Sequence, residues 1–134
     1  MNVPILQLKD ILLTTIQFDL GDEEALGFQE DLLETLERTE AAGVIIDITG
    51  MEIVDSFMAR ILNDTASMIR LLGAEAVICG IQPAVAMTLV EMGRELIGVE
   101  TALNLDQGMD ALRDLIDRRL DVLRRSVETG RFDE

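Results

Sequence analysis

One segment of this chain places a chemically addressable group where charge is favoured: Asp47-Ile48-Thr49-Gly50-Met51-Glu52-Ile53-Val54-Asp55-Ser56-Phe57-Met58-Ala59-Arg60. An apolar strand, Val44 to Ile48, feeds a short loop, and the loop delivers Asp55 and Ser56 to the start of an amphipathic helix. The first backbone N–H groups of a helix have no partner within it, and the helix dipole favours an anion there. A hydroxyl at that point suits reversible charging. A phosphate on Ser56 would add roughly −1.5 to −2 charges and three acceptor oxygens. Arg60, one turn on, would accommodate it within the fold, while Asp55 and the acidity of the chain would make the surface hostile to an acidic partner.

The same residues also suit a purely structural role, because Ser and Asp are both favoured N-caps, worth on the order of 1 kcal/mol. Helical phase adds one distinction. At about 100° per residue, Ser56 falls with Arg60, Asn63, Ser67 and Arg70, opposite a stripe of Phe57, Ile61, Met68 and Leu72. The Ser56 hydroxyl is therefore expected to be accessible.

Little other chemistry is on offer. The chain has no histidine and a single cysteine, which removes the commonest general base and makes a zinc site a poor fit. Neither a Walker A loop nor a Gly-x-Gly-x-x-Gly fingerprint is present. The carboxylates of Glu30, Asp31, Glu34 and Glu37 are spread as on a solvated helix face. The expectation is a protein that is not an enzyme and needs neither cofactor nor metal.

The elements that must hold Ser56 follow from periodicity. Strands are expected at Ile5 to Leu8 and Leu12 to Phe18, joined by a turn at Lys9-Asp10. Asp22 is expected to cap a helix reaching about Arg38, with Ala25, Leu26, Gln29, Leu32, Leu33 and Leu36 inward. The helix after Ser56 is expected to bury Phe57, Met58, Ile61, Leu62, Thr65, Met68, Ile69 and Leu72 and to end at Gly73. A strand Ala76 to Gly80 leads to Pro83, at home in the first turn of a helix to Met92. A strand from Ile97 to Thr101 precedes a last helix opened by Asp106, with Met109, Leu112, Ile116, Leu120 and Leu123 inward. Continuous apolar strands alternating with helices predict an α/β fold on a parallel sheet, made mixed by the initial hairpin.

At 134 residues this reads as a single domain over residues 1–125 with a polar tail from 126 to 134. Its core must be aliphatic, since there are four Phe and no Trp or Tyr, and Cys79 reads as a small buried hydrophobe. A net charge of −15 argues against nucleic acid and against anionic membranes. No apolar run spans a bilayer and no secretory signal is visible, so a cytoplasmic protein is expected. The aliphatic and Met-bearing surface leaves a homodimer open.

Strand, loop, Asp-Ser and helix, followed by Val77-Ile78-Cys79-Gly80-Ile81-Gln82-Pro83-Ala84-Val85-Ala86-Met87-Thr88-Leu89-Val90, resemble a STAS domain of the anti-sigma-factor antagonist family. Within it the chain is most similar to the RsbS group, the short antagonists of bacterial stressosomes. Gly27 to Leu33 and Thr101 to Gly108 match that group too, and the resemblance runs from about Val3 to Leu115. It implies a mixed sheet of four to five strands with about four helices. It implies that Ser56 is phosphorylated by an RsbT-like serine/threonine switch kinase, held in an assembly with RsbR-like scaffold paralogues and released on phosphorylation. It places Asp55, Ser56, Phe57 and Arg60 at the partner contact, with Asp55 shaping the loop. Thr88 stands where scaffold paralogues carry a second phosphorylatable threonine, and its helical position suits simple packing as well. The absence of an N-terminal sensory module favours the short antagonist. Gly80 is expected to be a close-approach position.

Three rivals use the same residues differently. A stand-alone antagonist would bind an anti-sigma kinase without a large assembly. A receiver-like domain would use Asp47 as a phospho-acceptor, but needs a lysine after a later strand, and the only lysine is Lys9. A small-ligand module would use a pocket between the helix starts at Ser56 and Pro83.

Overall fold

The computed structural model describes residues 3–93 and 99–130. Its elements in chain order are β1 (Ile5–Leu8), β2 (Ile11–Thr15), α1 (Asp22–Thr39), β3 (Gly43–Asp47), α2 (Ser56–Leu71), β4 (Glu75–Cys79), α3 (Pro83–Glu91), β5 (Glu100–Ala102) and α4 (Leu105–Thr129). The five strands form one sheet in the order β1-β2-β3-β4-β5. β1 and β2 are antiparallel across the Lys9-Asp10 turn, and every later pair is parallel. The chain is an α/β protein with the mixed sheet that the alternation of strands and helices predicts.

Sheet order equals chain order, so each parallel crossover steps to the next strand in the same direction across the sheet. That gathers α1, α2 and α3 on one face and leaves the other to α4. The pleat divides the strand residues accordingly. Leu12, Val44, Ile46, Ala76 and Ile78 join the core beneath the first three helices. Ile11, Ile45, Val77 and Cys79 meet Leu112 and Ile116 of α4. Both faces being covered, β3 is buried along its whole length.

The buried stripes correct the sequence reading in detail. On α1 the inward residues are Ala25, Phe28, Leu32 and Leu36, while Leu26 is exposed and Gln29 and Leu33 are half-buried. Gly21, not Asp22, is the N-cap, and its N–H donates to the Glu24 carboxylate at 3.0 Å. On α2, Met58, Ile61, Leu62, Thr65 and Ile69 are buried, Phe57 and Met68 half-buried, and Leu72 lies exposed beyond the helix end. The β2 strand stops at Thr15, three residues before Phe18; Ile16 donates a last N–H to the Asp47 carbonyl, and the chain then leaves the sheet. Asn104, not Asp106, caps α4, accepting the Gln107 N–H at 2.9 Å. The expected strand start at Ile97 lies outside the described residues.

The largest departure concerns α4. Leu112 and Ile116 pack on the sheet as expected, but Leu120 and Leu123 do not point into a core; they are exposed. Strands of at most five residues span about 17 Å, whereas a 25-residue helix runs about 37 Å. The helix therefore outruns the sheet. It also continues past residue 125, where a polar tail was expected, and ends at Thr129 with Gly130 left-handed at φ 68. No helix among the described residues is long and apolar enough to cross a membrane.

Candidate functional site

The parallel strands β3 and β4 end at the same edge of the sheet, and the loops leaving them lead into α2 and α3. The C-terminal edge of a parallel sheet is where an α/β fold presents functional groups on helix N-termini. The loop from Ile48 to Asp55 is held there from three directions. Inside, Asp47 is nearly buried, and its Oδ1 accepts the Thr49 N–H at 3.0 Å and the Thr49 hydroxyl at 2.6 Å. Sideways, Gln82 donates its Nε2 to the Thr49 carbonyl at 2.6 Å, tying this loop to the start of α3. From outside, Asp19 Oδ1 accepts the N–H groups of Glu52 and Ile53 at 2.9 and 3.1 Å. Met51 and Val54 are buried anchors, while Ile53 between them is 70% exposed.

Two glycines make this packing possible. Gly80 has φ 76, and a Cβ there would run into the Thr49 hydroxyl and the Asp47 carboxylate. It is the close-approach position expected from the sequence. At Gly50 a Cβ would stand 2.5 Å from the backbone of Gln17.

The loop ends on Asp55, which is the N-cap of α2: its side chain accepts the Met58 N–H at 2.8 Å, and its carbonyl accepts the Ala59 N–H. Capping is therefore done by Asp55 alone. Ser56 is the first helical residue and is exposed, and among the described residues its hydroxyl has no hydrogen-bond partner. Phe57 is half-buried against the core, and the Arg60 guanidinium lies over its ring at 5.7 Å. Side chains lean towards the N-terminus of a helix, so Arg60 leans back towards the turn that carries Ser56. The structure thus brings Asp55, Ser56, Phe57 and Arg60 together at one helix end, with exposed Ile53 beside them in sequence. The first turn of α2 itself carries no acidic residue.

Thr88 is elsewhere. It lies in the second turn of α3, half-buried, and its hydroxyl donates to the Ala84 carbonyl at 3.0 Å. Asp47, the acceptor of the receiver-like reading, has its Oδ1 engaged twice by Thr49. Lys9 sits before β2, at the opposite end of the strands, since Ile11 is level with Gly43 and Thr15 with Asp47. That geometry removes the receiver-like pairing. A cleft of about 350 Å³ lined by Arg70, Glu75, Val99, Glu100 and Leu115 opens at the start of β4 and β5, away from Ser56. Cys79 lies under Gly108 of α4, where burial and then the nearby Asp47 charge push its thiol up to about 11. It is a packing residue.

Asp19, Thr49, Gln82 and Gly50 escaped the sequence reading. Asp19, Gln82 and Gly50 meet residues brought close only by the fold, as Asp19 does Glu52 and Gln82 does Thr49, and no local pattern marks them; Thr49 bonds Asp47 two residues away.

Comparison with known proteins fits this architecture. The family profile of the STAS domain matches residues 2–107. A solved serine-to-glutamate variant of Moorella thermoacetica RsbS is 41% identical, with a TM-score of 0.75 over 86% of this chain and 97% of that one. A chain from a structure of the stressosome, described as a signal integration and transduction hub, is 43% identical, with a TM-score of 0.73 over 84% of this chain and 97% of that one. Among curated proteins, the RsbT co-antagonist protein RsbRA of Bacillus subtilis is 32% identical over 101 residues, 75% of this chain and 37% of its own length. The chain spans about two fifths of the length of the curated relatives it matches first.

Proposed function

This chain belongs to the STAS-domain family, and on that premise we propose that it is a non-enzymatic, cytoplasmic phospho-switch antagonist of a stressosome-type complex. In this reading it assembles with RsbR-like scaffold proteins and holds an RsbT-like serine/threonine kinase. Phosphorylation of Ser56 then releases the kinase. The match over nearly the full length of a solved RsbS chain supports an RsbS-like role more closely than the partial match to RsbRA.

The observation that carries the reading is the division of labour between Asp55 and Ser56. Because Asp55 supplies the cap, the Ser56 hydroxyl is not committed to holding the helix. It can take up a phosphoryl group without breaking a structural bond. The group would sit at the positive end of α2 with Arg60 one turn away. The fold tolerates the modification, and the contact surface formed by Ile53, Ser56 and Phe57 changes from neutral to doubly negative. Thr88 is a poorer acceptor on the same physical grounds, its hydroxyl being engaged along the helix.

The test is phosphorylation in vitro by an RsbT-type kinase with ATP, read by intact-mass and tandem mass spectrometry. One phosphate on Ser56, lost in Ser56→Ala, together with loss of kinase co-elution after modification, is the expected result. An active kinase that leaves Ser56 unmodified sinks the switch. Phosphorylation with kinase release but no co-assembly with an RsbR-like scaffold on gel filtration would replace the stressosome by a stand-alone antagonist.

A further inference from the structure

Helices α1 and α2 leave an open furrow between their C-terminal ends, on the sheet face opposite α4. A hollow of about 500 Å³ is lined by Glu30, Leu33, Glu34, Glu37 and Leu72. Past the shared Glu37 and Leu72 it continues into one of about 350 Å³ that reaches Glu40, Ala41 and Gly73. Its apolar side chains are not sealed, since Leu33 is half-buried and Leu72 is 57% exposed. From Glu30 to Glu40 the furrow follows α1 for about 15 Å, nearly three helical turns.

The rim is a line of uncompensated charge. Glu30, Glu34 and Glu37 stand at i, i+4 and i+7 on one face of α1, and like charges at that spacing weaken the helix that carries them. Among the described residues, none of these carboxylates, nor that of Glu40, has a hydrogen bond or ion pair, and Arg38 does not pair with Glu34 four residues before it. By contrast Asp10, Glu75, Asp114 and Asp121 are all paired by arginines of α4. Glu40 adds its carboxylate from a left-handed cap at φ 53, which glycine would adopt at less cost.

We propose that this furrow is a docking groove for a basic amphipathic helix of another protein, laid along α1. The apolar stripe of that helix seats on Leu33 and Leu72, and its flanking Lys or Arg side chains, recurring at helical spacing, meet Glu30, Glu34 and Glu37. Charge selects the occupant. A second copy brings a net charge of −15, and nucleic acids and anionic membranes bring the same sign. The groove is also separate from the switch surface. Helix α2 runs about 24 Å from Ser56 to Leu71, so a partner docked here leaves Ser56 uncovered.

Fluorescence anisotropy with a labelled peptide tests the proposal, the probe being about 14 leucines and lysines patterned as one amphipathic helix. At about 0.15 M salt, where the screening length is about 8 Å, it should bind the full chain at least about tenfold tighter than a scrambled version or one with glutamate for lysine. Glu34→Gln with Glu37→Gln should weaken it about tenfold, and Leu72→Asn about fivefold. Asp110→Asn with Glu128→Gln, which removes the same charge from exposed sites on α4, should leave it unchanged. Glu40→Gly should raise the melting temperature yet weaken binding, a combination that loss of folding does not produce. Backbone amide NMR shifts should cluster at residues 30–41 and 72–73. Equal binding of the scrambled peptide, equal weakening by the α4 pair, or shifts centred on Ser56 overturns the groove. So does a bound signal that falls as the protein's own concentration rises, which would give the furrow to a second copy. None of these outcomes depends on phosphorylation of Ser56.

Discussion

Replacing Asp55 or Ser56 by alanine should have very different consequences for stability, although the residues are adjacent and both are good capping types. Asp55 accepts the Met58 N–H at 2.8 Å and holds a negative charge at the positive end of α2. A lost cap costs about 1 kcal/mol and the lost charge–dipole term about 0.3–1 kcal/mol, so Asp55→Ala should cost about 1.5 kcal/mol. Unfolding entropy near 60 °C is about 2.1 cal/mol/K per residue, or roughly 0.28 kcal/mol/K for a chain of 134 residues. The melting temperature should therefore fall by about 5 °C. Ser56→Ala removes an exposed hydroxyl with no partner and gains slightly in helix propensity, so it should stay within about 0.5 kcal/mol of the parent. Urea denaturation with matched m-values, alongside differential scanning calorimetry, measures both. Equal losses in the two variants, or a larger loss in Ser56→Ala, would refute the assignment of the cap to Asp55. The argument that Ser56 is available for modification would go with it.

Ser56→Asp should leave the fold intact and stabilise it by about 0.3–1 kcal/mol, since it puts an acid into a first turn that has none; thermal melts read this, while pull-down of the kinase should weaken. Gly80→Ala should cost about 2–4 kcal/mol in urea denaturation, because the left-handed backbone disfavours a Cβ that also displaces the Asp47–Thr49 pair. The Arg113 guanidinium, doubly hydrogen-bonded to Asp10, holds that carboxyl below the usual carboxylate range. Its folded value being depressed, the pair's small contribution is present above the unfolded value near 3.8 and is lost as pH falls through the folded one. Carbon-detected NMR titration should show the Asp10 value rise in Arg113→Ala. With its thiol pushed up to about 11, Cys79 should be alkylated at pH 8 at least a hundredfold more slowly in the native protein than in urea.

Most elements announced themselves locally. The alternation of apolar runs and helical stripes, Gly73 and Pro83 as punctuation, and Lys9-Asp10 as a turn were enough for the order of strands and helices. Asp55-Ser56 at the head of α2 was equally visible, because caps and helix starts are written in neighbouring residues. Which of the two does the capping was not, since both types can and the choice rests on backbone position.

The sequence by itself determined the α/β class, the aliphatic core, the acidic surface and a serine at a helix start, all properties of composition or of residues close in the chain. Tertiary structure alone decided what depends on distant residues meeting. Asp19 and Gln82 brace the loop across 33 residues of chain. Asp47 lies at the far end of the strands from Lys9. Leu120 and Leu123 look like core by period and are not, because amphipathic pattern records which face of a helix is apolar, and only the length of the sheet beneath it says where that face runs out of anything to cover.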